Sequence, residues 1–194
     1  MRFYAAAEIF SQKECFSTEI KRLDRQKYDY FVLEYNYDAD YIYDVSAQSS
    51  KECMGIKFER RKLEKTRRFS NSDTLFQEYW QSPEAYGIFD AEDRLCAVTE
   101  LDFEEWNNRI RITQLLVYGA YRGRGLGKKL MEFAKSTALE RDYRMIVAET
   151  QSNNTRAVDF YLSQGFVFSG TNIHFYSNDD ISENEVMLEL AYLF

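Results

Sequence analysis

The part of the sequence best suited to chemistry is a glycine-rich run, RGRGLG at residues 122–127. It follows the apolar segment LLVY at 115–118 and precedes a helical pattern. A strand that ends in a glycine-rich turn and opens a helix directs unpaired backbone N–H groups and the positive end of the helix dipole at one small volume. Glycine lets the backbone approach a ligand without a Cβ in the way. The run therefore predicts an anion-binding site.

Positive charge gathers at this run although the whole chain is acidic, with a net charge of -7. Arg122 and Arg124 lie within it, and Lys128 and Lys129 follow it. This concentration of charge suits a pyrophosphate. The run lacks the Gly-Lys-Ser/Thr of a nucleoside-triphosphate loop and does not match the dinucleotide fingerprint G-x-G-x-x-G. An ordinary glycine turn before an exposed basic helix is the alternative interpretation.

The acidic balance of the chain argues against a nucleic-acid partner, because nucleic-acid binding depends on a broad basic surface. The same balance permits a cationic substrate. No segment approaches the roughly 18 apolar residues that span a bilayer, and the N-terminus lacks a targeting pattern. We expect a soluble cytoplasmic protein with no membrane partner.

The cysteines and the single histidine offer little for catalysis. Cys15, Cys53 and Cys96 are odd in number, far apart and without metal-ligand spacing, so neither a disulfide nor a metal site is predicted. Each is expected to be a small buried hydrophobe rather than a nucleophile. His174 falls in the alternating run IHFY at 173–176 and is predicted to be a strand residue rather than a base.

Periodicity and turn residues predict the elements that must position the glycine run. In the second part of the chain these are strands at 86–89, 95–103 and 109–118, a helix at 125–141, a strand at 145–149, a helix at 154–164, and strands at 166–176 and 185–193. In the first part they are a strand at 28–36, a helix or strand at 56–68, and a short helix at 73–80 capped by Ser72 or Asp73. This order predicts an α+β fold whose mixed sheet is antiparallel at its start and contains a parallel crossover.

The motifs together resemble a known family. The glycine run fits R/Q-x-x-G-x-G/A, and NTRAVDFY at 154–161, followed by Gly165-Phe166, is similar to N-x-x-A-x-x-F-Y followed by G-F. Both are signatures of the GNAT superfamily of acetyl-CoA-dependent N-acyltransferases, which the chain resembles from about Tyr86 onward. Three further segments resemble its streptothricin acetyltransferase branch: 106–107, 149–154 and 170–176.

The resemblance implies a mostly antiparallel mixed sheet of about seven strands, flanked by helices, in which the central parallel strands splay apart. It implies a single domain over 1–194, with the acetyl-CoA-binding core at 86–194 and a variable acceptor side at 1–85. The implied co-substrate is acetyl-CoA, without a metal. The residues that it places at the cofactor are Leu116, Val117, Arg122, Gly123, Arg124, Gly125, Leu126, Gly127, Lys128, Asn154 and Tyr161.

Specific roles follow from the same resemblance. Tyr161 is expected to protonate the leaving thiolate, and a packed aromatic residue is the alternative. The Val117 N–H is expected to polarise the acetyl carbonyl. Asn154 is expected to contact the cofactor and also to cap the following helix.

Transfer to an amine requires a base, because an alkyl ammonium with a pKa of about 10.4 is almost fully protonated at neutral pH. The streptothricin branch typically has an acidic residue where this sequence has Thr113 and Gln114, neither of which is a useful base. Glu100, on the preceding strand, is the leading substitute. The carboxylates ranked behind it are Glu149, Asp102, Glu104 and Glu105. For each of them, a solvated or salt-bridged structural role is the alternative.

The resemblance thus implies an N-acetyltransferase acting on a primary amine of a small molecule, with a streptothricin-like or other amino-group antibiotic as one candidate. Two alternatives stay open. One is acetylation of a protein or peptide amine, and the other is an acyl-CoA-binding regulatory module without turnover, which the missing acid at 113–114 keeps in play. The sequence does not distinguish a monomer from a homodimer.

Overall fold

The computed structural model describes residues 19–194. Their strands are β1 (Lys21–Arg22), β2 (Val32–Ser49), β3 (Met54–Thr74), β4 (Pro83–Phe89), β5 (Leu95–Glu104), β6 (Arg109–Val117), β7 (Met145–Gln151), β8 (Val167–Asn172) and β9 (Met187–Leu193). Their helices are α1 (Arg25–Tyr28), α2 (Leu126–Glu140), α3 (Thr155–Ser163) and α4 (Asp180–Glu183), with 3-10 turns at Glu105–Asn107 and Gly119–Tyr121. From β4 onward, apart from the short α4 before β9, the elements follow the order that the sequence predicts.

Seven strands form the main sheet in the order β1-β4-β5-β6-β7-β9-β8. Every neighbouring pair is antiparallel except β6 and β7, which run parallel on either side of the α2 crossover. The predicted α+β fold with a mixed, mostly antiparallel sheet is therefore confirmed. The alternation of buried and half-buried residues along β6 shows why this sequence folds as a strand in the middle of the sheet.

The parallel pair at the centre of the sheet separates part-way along its length. Pairing begins at Arg109 with Met145 and ends at Ile112 with Ala148. Beyond that point β6 continues to Val117 without a partner on its β7 side. The predicted splay of the central strands is confirmed, and it leaves the end of β6 unpaired with β7.

The β2–β3 hairpin forms a second, two-stranded sheet. Its strand β2 is held to the rest of the fold by buried side chains such as Leu33 and Ile42, both 0% exposed. On β3, Arg60 donates two hydrogen bonds to the Asp159 carboxylate on α3, at 2.6 and 2.8 Å. This hairpin therefore packs beside the helix that carries Tyr161.

The sequence explains why the two longer helices, α2 and α3, form. Along α2, the buried residues recur at helical spacing: Leu126, Leu130, Met131, Ala134, Thr137 and Ala138. Asn154 caps α3 by accepting a hydrogen bond from the Ala157 N–H at 3.2 Å, and Gly165 follows with a φ of 84°. Within residues 19–194, no helix combines the length and apolar character needed to cross a membrane.

The structure corrects two predictions in the first part of the chain. The helix predicted at 73–80 is absent, because β3 runs on to Thr74 opposite Val32 and Phe76 then adopts a φ of 59°, which ends any helix. The strand predicted at 28–36 begins only at Val32, because α1 ends at Tyr28 and a turn follows it. The segment at 56–68, left open as helix or strand, lies within β3.

Two further predictions are wrong outside the central sheet. His174 is an exposed residue of a turn, because β8 ends at Asn172. Cys53 is exposed in the turn of the β2–β3 hairpin, whereas Cys96 is buried as predicted. Cys15 lies outside the described residues.

Candidate active site

The glycine turn lies between β6 and α2, as predicted. Gly123 and Gly125 have φ angles of 75° and 81°, in the left-handed region that glycine adopts without strain. Gly125 is also the N-cap of α2, and no side chain caps the helix. The first N–H groups of a helix lack partners within it, so they are available here to an anion.

A cavity of ≈ 290 Å³ adjoins this turn. The residues that line it are Tyr35, Asn36, Tyr37, Leu115, Leu116, Val117, Arg122, Gly127, Asn154, Arg156, Ala157, Phe160 and Tyr161. A Cβ on Gly127 would lie 3.5 Å from Phe160 Cε2 and 3.6 Å from Val117 Cγ2, within this space. The narrow apolar space beside a basic, glycine-rich turn fits a cofactor that joins a thin chain to a pyrophosphate. We refer to it as the cofactor groove.

Six of the predicted cofactor residues line the groove: Leu116, Val117, Arg122, Gly127, Asn154 and Tyr161. The others lie in the adjoining turn and the start of α2: Gly123, Arg124, Gly125, Leu126 and Lys128. The Arg122 guanidinium donates to the carbonyl oxygens of Val117 and Asn36, each at 3.0 Å. Arg122 therefore ties the glycine turn to β2 in addition to any part in binding phosphate.

A second cavity of ≈ 520 Å³ lies where β6 and β7 separate, lined by residues 111–115 and 149–151 among others. Its aromatic lining residues are Tyr35, Tyr37, Tyr79, Trp80, Tyr161, Phe175 and Tyr176. Two carboxylates, Asp73 and Glu149, also line it, together with Arg111. The Arg111 guanidinium is already paired with Glu104 at 2.7 Å and Glu189 at 3.4 Å. The cavity, which we call the acceptor cavity, therefore favours a cation.

The two cavities share part of their walls. The shared residues are Tyr35, Tyr37, Leu115, Asn154, Ala157 and Tyr161. They come from β2, from the end of β6 beyond its pairing with β7, and from α3 and its N-cap. The arrangement can therefore bring a donor in the groove and an acceptor in the larger cavity into contact beside Tyr161.

Tyr161 lies on α3, where it packs against the rings of Phe160 and Phe166 at centroid distances of 5.6 and 5.4 Å. The residue is 6% exposed. Burial raises the pKa of its phenol well above the usual value. The hydroxyl therefore keeps its proton at neutral pH and has one to donate.

Glu100 lies on β5 and is 0% exposed. Its carboxylate accepts hydrogen bonds from the Phe76 N–H and the Thr113 hydroxyl, both at 2.6 Å. Burial raises the pKa of this carboxyl, while these two hydrogen bonds act in the opposite direction. Glu100 does not line either cavity, whereas Thr113 lines the acceptor cavity. A proton from the cavity would reach Glu100 by way of Thr113.

Glu149 lies on β7 and lines the acceptor cavity directly. Its Oε1 accepts a hydrogen bond from the Tyr176 hydroxyl at 3.0 Å. Burial raises its pKa, while the Tyr176 hydrogen bond and the nearby Arg111 act to lower it. Among residues 19–194, no group of three or more His, Cys, Asp and Glu side chains could hold a metal ion.

Sequence reasoning missed Asp73 as a site residue and treated it as a helix cap. In the structure, Gln114 Nε2 donates to Asp73 Oδ2 at 2.7 Å, and the Tyr35 hydroxyl donates to Gln114 Oε1 at 2.5 Å. A carboxylate from the hairpin thus lies beside Gln114, one of the two positions where the acidic residue was missing. No local pattern marks this contact, because the two residues are 41 positions apart.

Residues 53–166, well over half of the chain, match the acetyltransferase (GNAT) family. The chain belongs to the GNAT family. Acetyl-CoA is the acyl donor that this family uses. In this GNAT chain the groove beside the glycine turn has the shape, the free N–H groups and the basic residues that fit acetyl-CoA.

Individual proteins are similar to this chain, one in sequence over about half of its length and two in fold over most of it. Streptothricin acetyltransferase of Escherichia coli is 34% identical over 103 residues, which is 53% of this chain and 58% of that protein. The chain therefore spans little more than half of the length of this curated relative. The crystal structure of nourseothricin acetyltransferase has a TM-score of 0.69 at 17% identity and covers 90% of this chain and 97% of that chain. A Bacillus anthracis str. Ames protein in complex with acetyl coenzyme A has a TM-score of 0.65 at 23% identity, covering 91% and 97%.

Proposed function

We propose that this protein transfers an acetyl group from acetyl-CoA to a primary amine of a small cationic molecule, with a streptothricin-like antibiotic as the leading candidate. The observation that carries the proposal is the pair of cavities that meet at Tyr161, one beside the glycine turn and one lined by carboxylates. The streptothricin acetyltransferase of Escherichia coli supports the choice of antibiotic.

In this proposal, the backbone of the glycine turn and of the first turn of α2 holds the pyrophosphate. Arg122, Arg124 and Lys128 add positive charge there. The backbone of Leu116 and Val117, beyond the last pairing of β6 with β7, holds the thinner chain. When bound, acetyl-CoA supplies an activated acetyl thioester.

The acceptor ammonium must lose a proton before its nitrogen can attack. We assign this proton to the Glu149 carboxylate, because Glu149 lines the acceptor cavity and burial raises its pKa toward the working range of a base. Glu100 is the second candidate, acting through Thr113. The Val117 N–H polarises the carbonyl as the C–N bond forms and the C–S bond breaks. Tyr161 then gives its phenolic proton to the departing sulfur and is reprotonated by the second proton that the nitrogen loses as the amide forms.

The test measures release of thiol from acetyl-CoA with streptothricin, aminoglycosides, polyamines, amino acids and peptides as acceptors. Turnover with a small amine is expected in the wild type. Tyr161→Phe is expected to lower kcat by about 100-fold, the usual contribution of a proton donor, with little change in coenzyme A affinity. Tyr86→Phe removes another buried tyrosine hydroxyl, away from both cavities, and is the matched control.

Other results would point to the other functions. Turnover restricted to peptides would indicate a protein or peptide acetyltransferase. Binding of coenzyme A without turnover on any amine would indicate a regulatory module. An unchanged rate in Tyr161→Phe would remove Tyr161 from the mechanism, and absence of coenzyme A binding would end the proposal.

A further inference from the structure

Asp73 is a carboxylate that the proposed reaction does not use, although it lines the acceptor cavity. Three N–H donors fix its position at the end of β3. Gln114 Nε2 and the Thr74 N–H each donate at 2.7 Å, and the Gln77 side chain donates as well. Both carboxylate oxygens are thereby held in one orientation on the cavity wall, which is the arrangement of a built binding group rather than a free surface acid.

The charges around Asp73 leave room for a cation. Among residues 19–194, no Lys, Arg or His side chain forms an ion pair with Asp73 or with Glu149. The Arg111 guanidinium, which shares the cavity, lies between Glu104 and Glu189. Asp73 also contributes to the raised pKa of both Glu100 and Glu149, so the three carboxylates lie close enough to repel one another. One base is enough to deprotonate an amine, which leaves a negative charge to be neutralised.

The walls around Asp73 suit the apolar part of a cationic ligand. Tyr79 and Trp80 precede β4, and their rings lie 4.7 Å apart on the cavity wall. Aromatic faces attract ammonium groups and cover the methylene chain between them. The Trp80 indole N–H is buried and has no hydrogen-bond partner within the described residues. Leaving a buried donor unpaired costs about 1–3 kcal/mol, so this corner of the wall favours a hydrogen-bond acceptor rather than an ammonium group, which is itself only a donor.

We propose that Asp73 binds a second ammonium group of the acceptor, so that the substrate is a diamine or polyamine acetylated at one nitrogen and held by another. This inference rests on the proposed acetyltransferase function. The amine beside Tyr161 loses its proton and reacts, while the amine on Asp73 keeps its proton throughout. Asp73 is thus a specificity-determining residue, and its effect is confined to acceptors that carry the second charge.

The test compares pentane-1,5-diamine with pentylamine, which differ by one ammonium group, as acceptors for the full chain with acetyl-CoA. The wild type is expected to favour the diamine by about tenfold or more in kcat/KM, the size of one buried charge contact. Asp73→Asn is expected to raise the KM of the diamine by a similar factor, so that the preference for the diamine over pentylamine in kcat/KM is lost, whereas any effect through the pKa of Glu149 is shared by both amines. Asp44→Asn, at a hairpin carboxylate paired with Arg61, is the matched control.

The outcomes separate the inference from the function on which it rests. Wild-type turnover with equal kcat/KM for both amines, or equal losses for both in Asp73→Asn, would overturn the role of Asp73 and leave the acetyltransferase intact. No turnover with either amine, but calorimetric binding of the diamine that Asp73→Asn weakens about tenfold, would uphold the site and count against the activity. Absence of both turnover and diamine binding would overturn both.

Discussion

The β2–β3 hairpin lines both cavities, whereas the glycine turn lines only the cofactor groove, through Arg122 and Gly127. The two regions also differ in the atoms that they offer. The turn offers backbone N–H groups at the start of α2, where Gly125 has no side chain and no side chain caps the helix. The hairpin offers side chains, chiefly Tyr35, Tyr37 and Asp73. A site made from backbone depends on conformation, whereas a site made from side chains depends on residue identity.

This difference explains how one fold can keep the same acyl donor and change the amine that it acetylates. Backbone groups at a glycine turn bind a pyrophosphate whatever the neighbouring side chains are, provided that the glycine conformations are kept. Hairpin side chains can be exchanged without altering the strand pairing that holds them. Substitutions in the hairpin should therefore change the acceptor constants, and substitutions in the turn should change the cofactor constants.

The largest expected effect is on the acceptor side, at Glu149. Burial raises the pKa of this carboxyl. It is ionised, and so able to act as a base, only when the pH is above that raised pKa. We expect Glu149→Gln to lower kcat/KM for the amine by about 100-fold or more. The ratio of wild-type to variant kcat/KM should rise with pH through the raised pKa and then level off, since the titration of the amine itself cancels in this ratio.

Stability gives an independent measurement of the same group. A carboxyl whose folded pKa is raised contributes stability below its unfolded pKa of about 4.3, and this contribution is lost as pH rises through the folded pKa. The free energy of unfolding of Glu149→Gln should therefore increase relative to that of the wild type as pH rises through that window.

The activity measurement can also contradict the assignment of Glu149. If the ratio of wild-type to Glu149→Gln kcat/KM did not change with pH, and Glu100→Gln removed the pH dependence instead, the base would be Glu100.

The same contrast decides what the sequence could predict. Residues 122–127 and 154–161 could be interpreted locally, because a glycine turn and a capped helix leave their signals in adjacent residues. The order of elements after residue 85 followed from alternation and helical spacing, and the structure has the glycine turn between a strand and a helix as that order predicts. Local chemistry of this kind needs no knowledge of distant contacts.

The acceptor side could not be predicted in this way. The residues at 73–80 have a helical composition, but pairing of Thr74 with Val32 and the hydrogen bond from the Phe76 N–H to Glu100 hold them in turns. Glu100 itself has the type and strand position of a base, yet Thr113 separates it from the cavity. These outcomes depend on long-range packing, which overrides local propensity.

A substitution in the glycine turn tests the other side of the comparison. Gly125 has a φ of 81°, and a Cβ there would meet nothing within 4 Å, so only conformation opposes a larger residue. Strain at such a position costs about 1–3 kcal/mol. We expect Gly125→Val to weaken coenzyme A binding by about 10- to 100-fold in calorimetry while the KM of the amine changes little.

Gly119→Ala is the control for this substitution, because a Cβ at Gly119 also meets nothing within 4 Å and its φ is not in the left-handed region. Coenzyme A affinity should be unchanged in this variant. If Gly125→Val bound coenzyme A as tightly as wild type, the backbone of the turn would not be the binding group.

The smallest expected effect lies where the two regions meet. Arg122 donates one hydrogen bond to the Val117 carbonyl of β6 and one to the Asn36 carbonyl of the hairpin. Arg122→Lys keeps the charge but cannot span both carbonyls, so we expect the KM values for acetyl-CoA and for the amine to rise together by about two- to fivefold. Arg67→Lys, the same change at an exposed residue of β3 that lines neither cavity, should alter neither. A rise confined to acetyl-CoA would show that Arg122 serves only the phosphate, and that the hairpin is positioned independently of the turn.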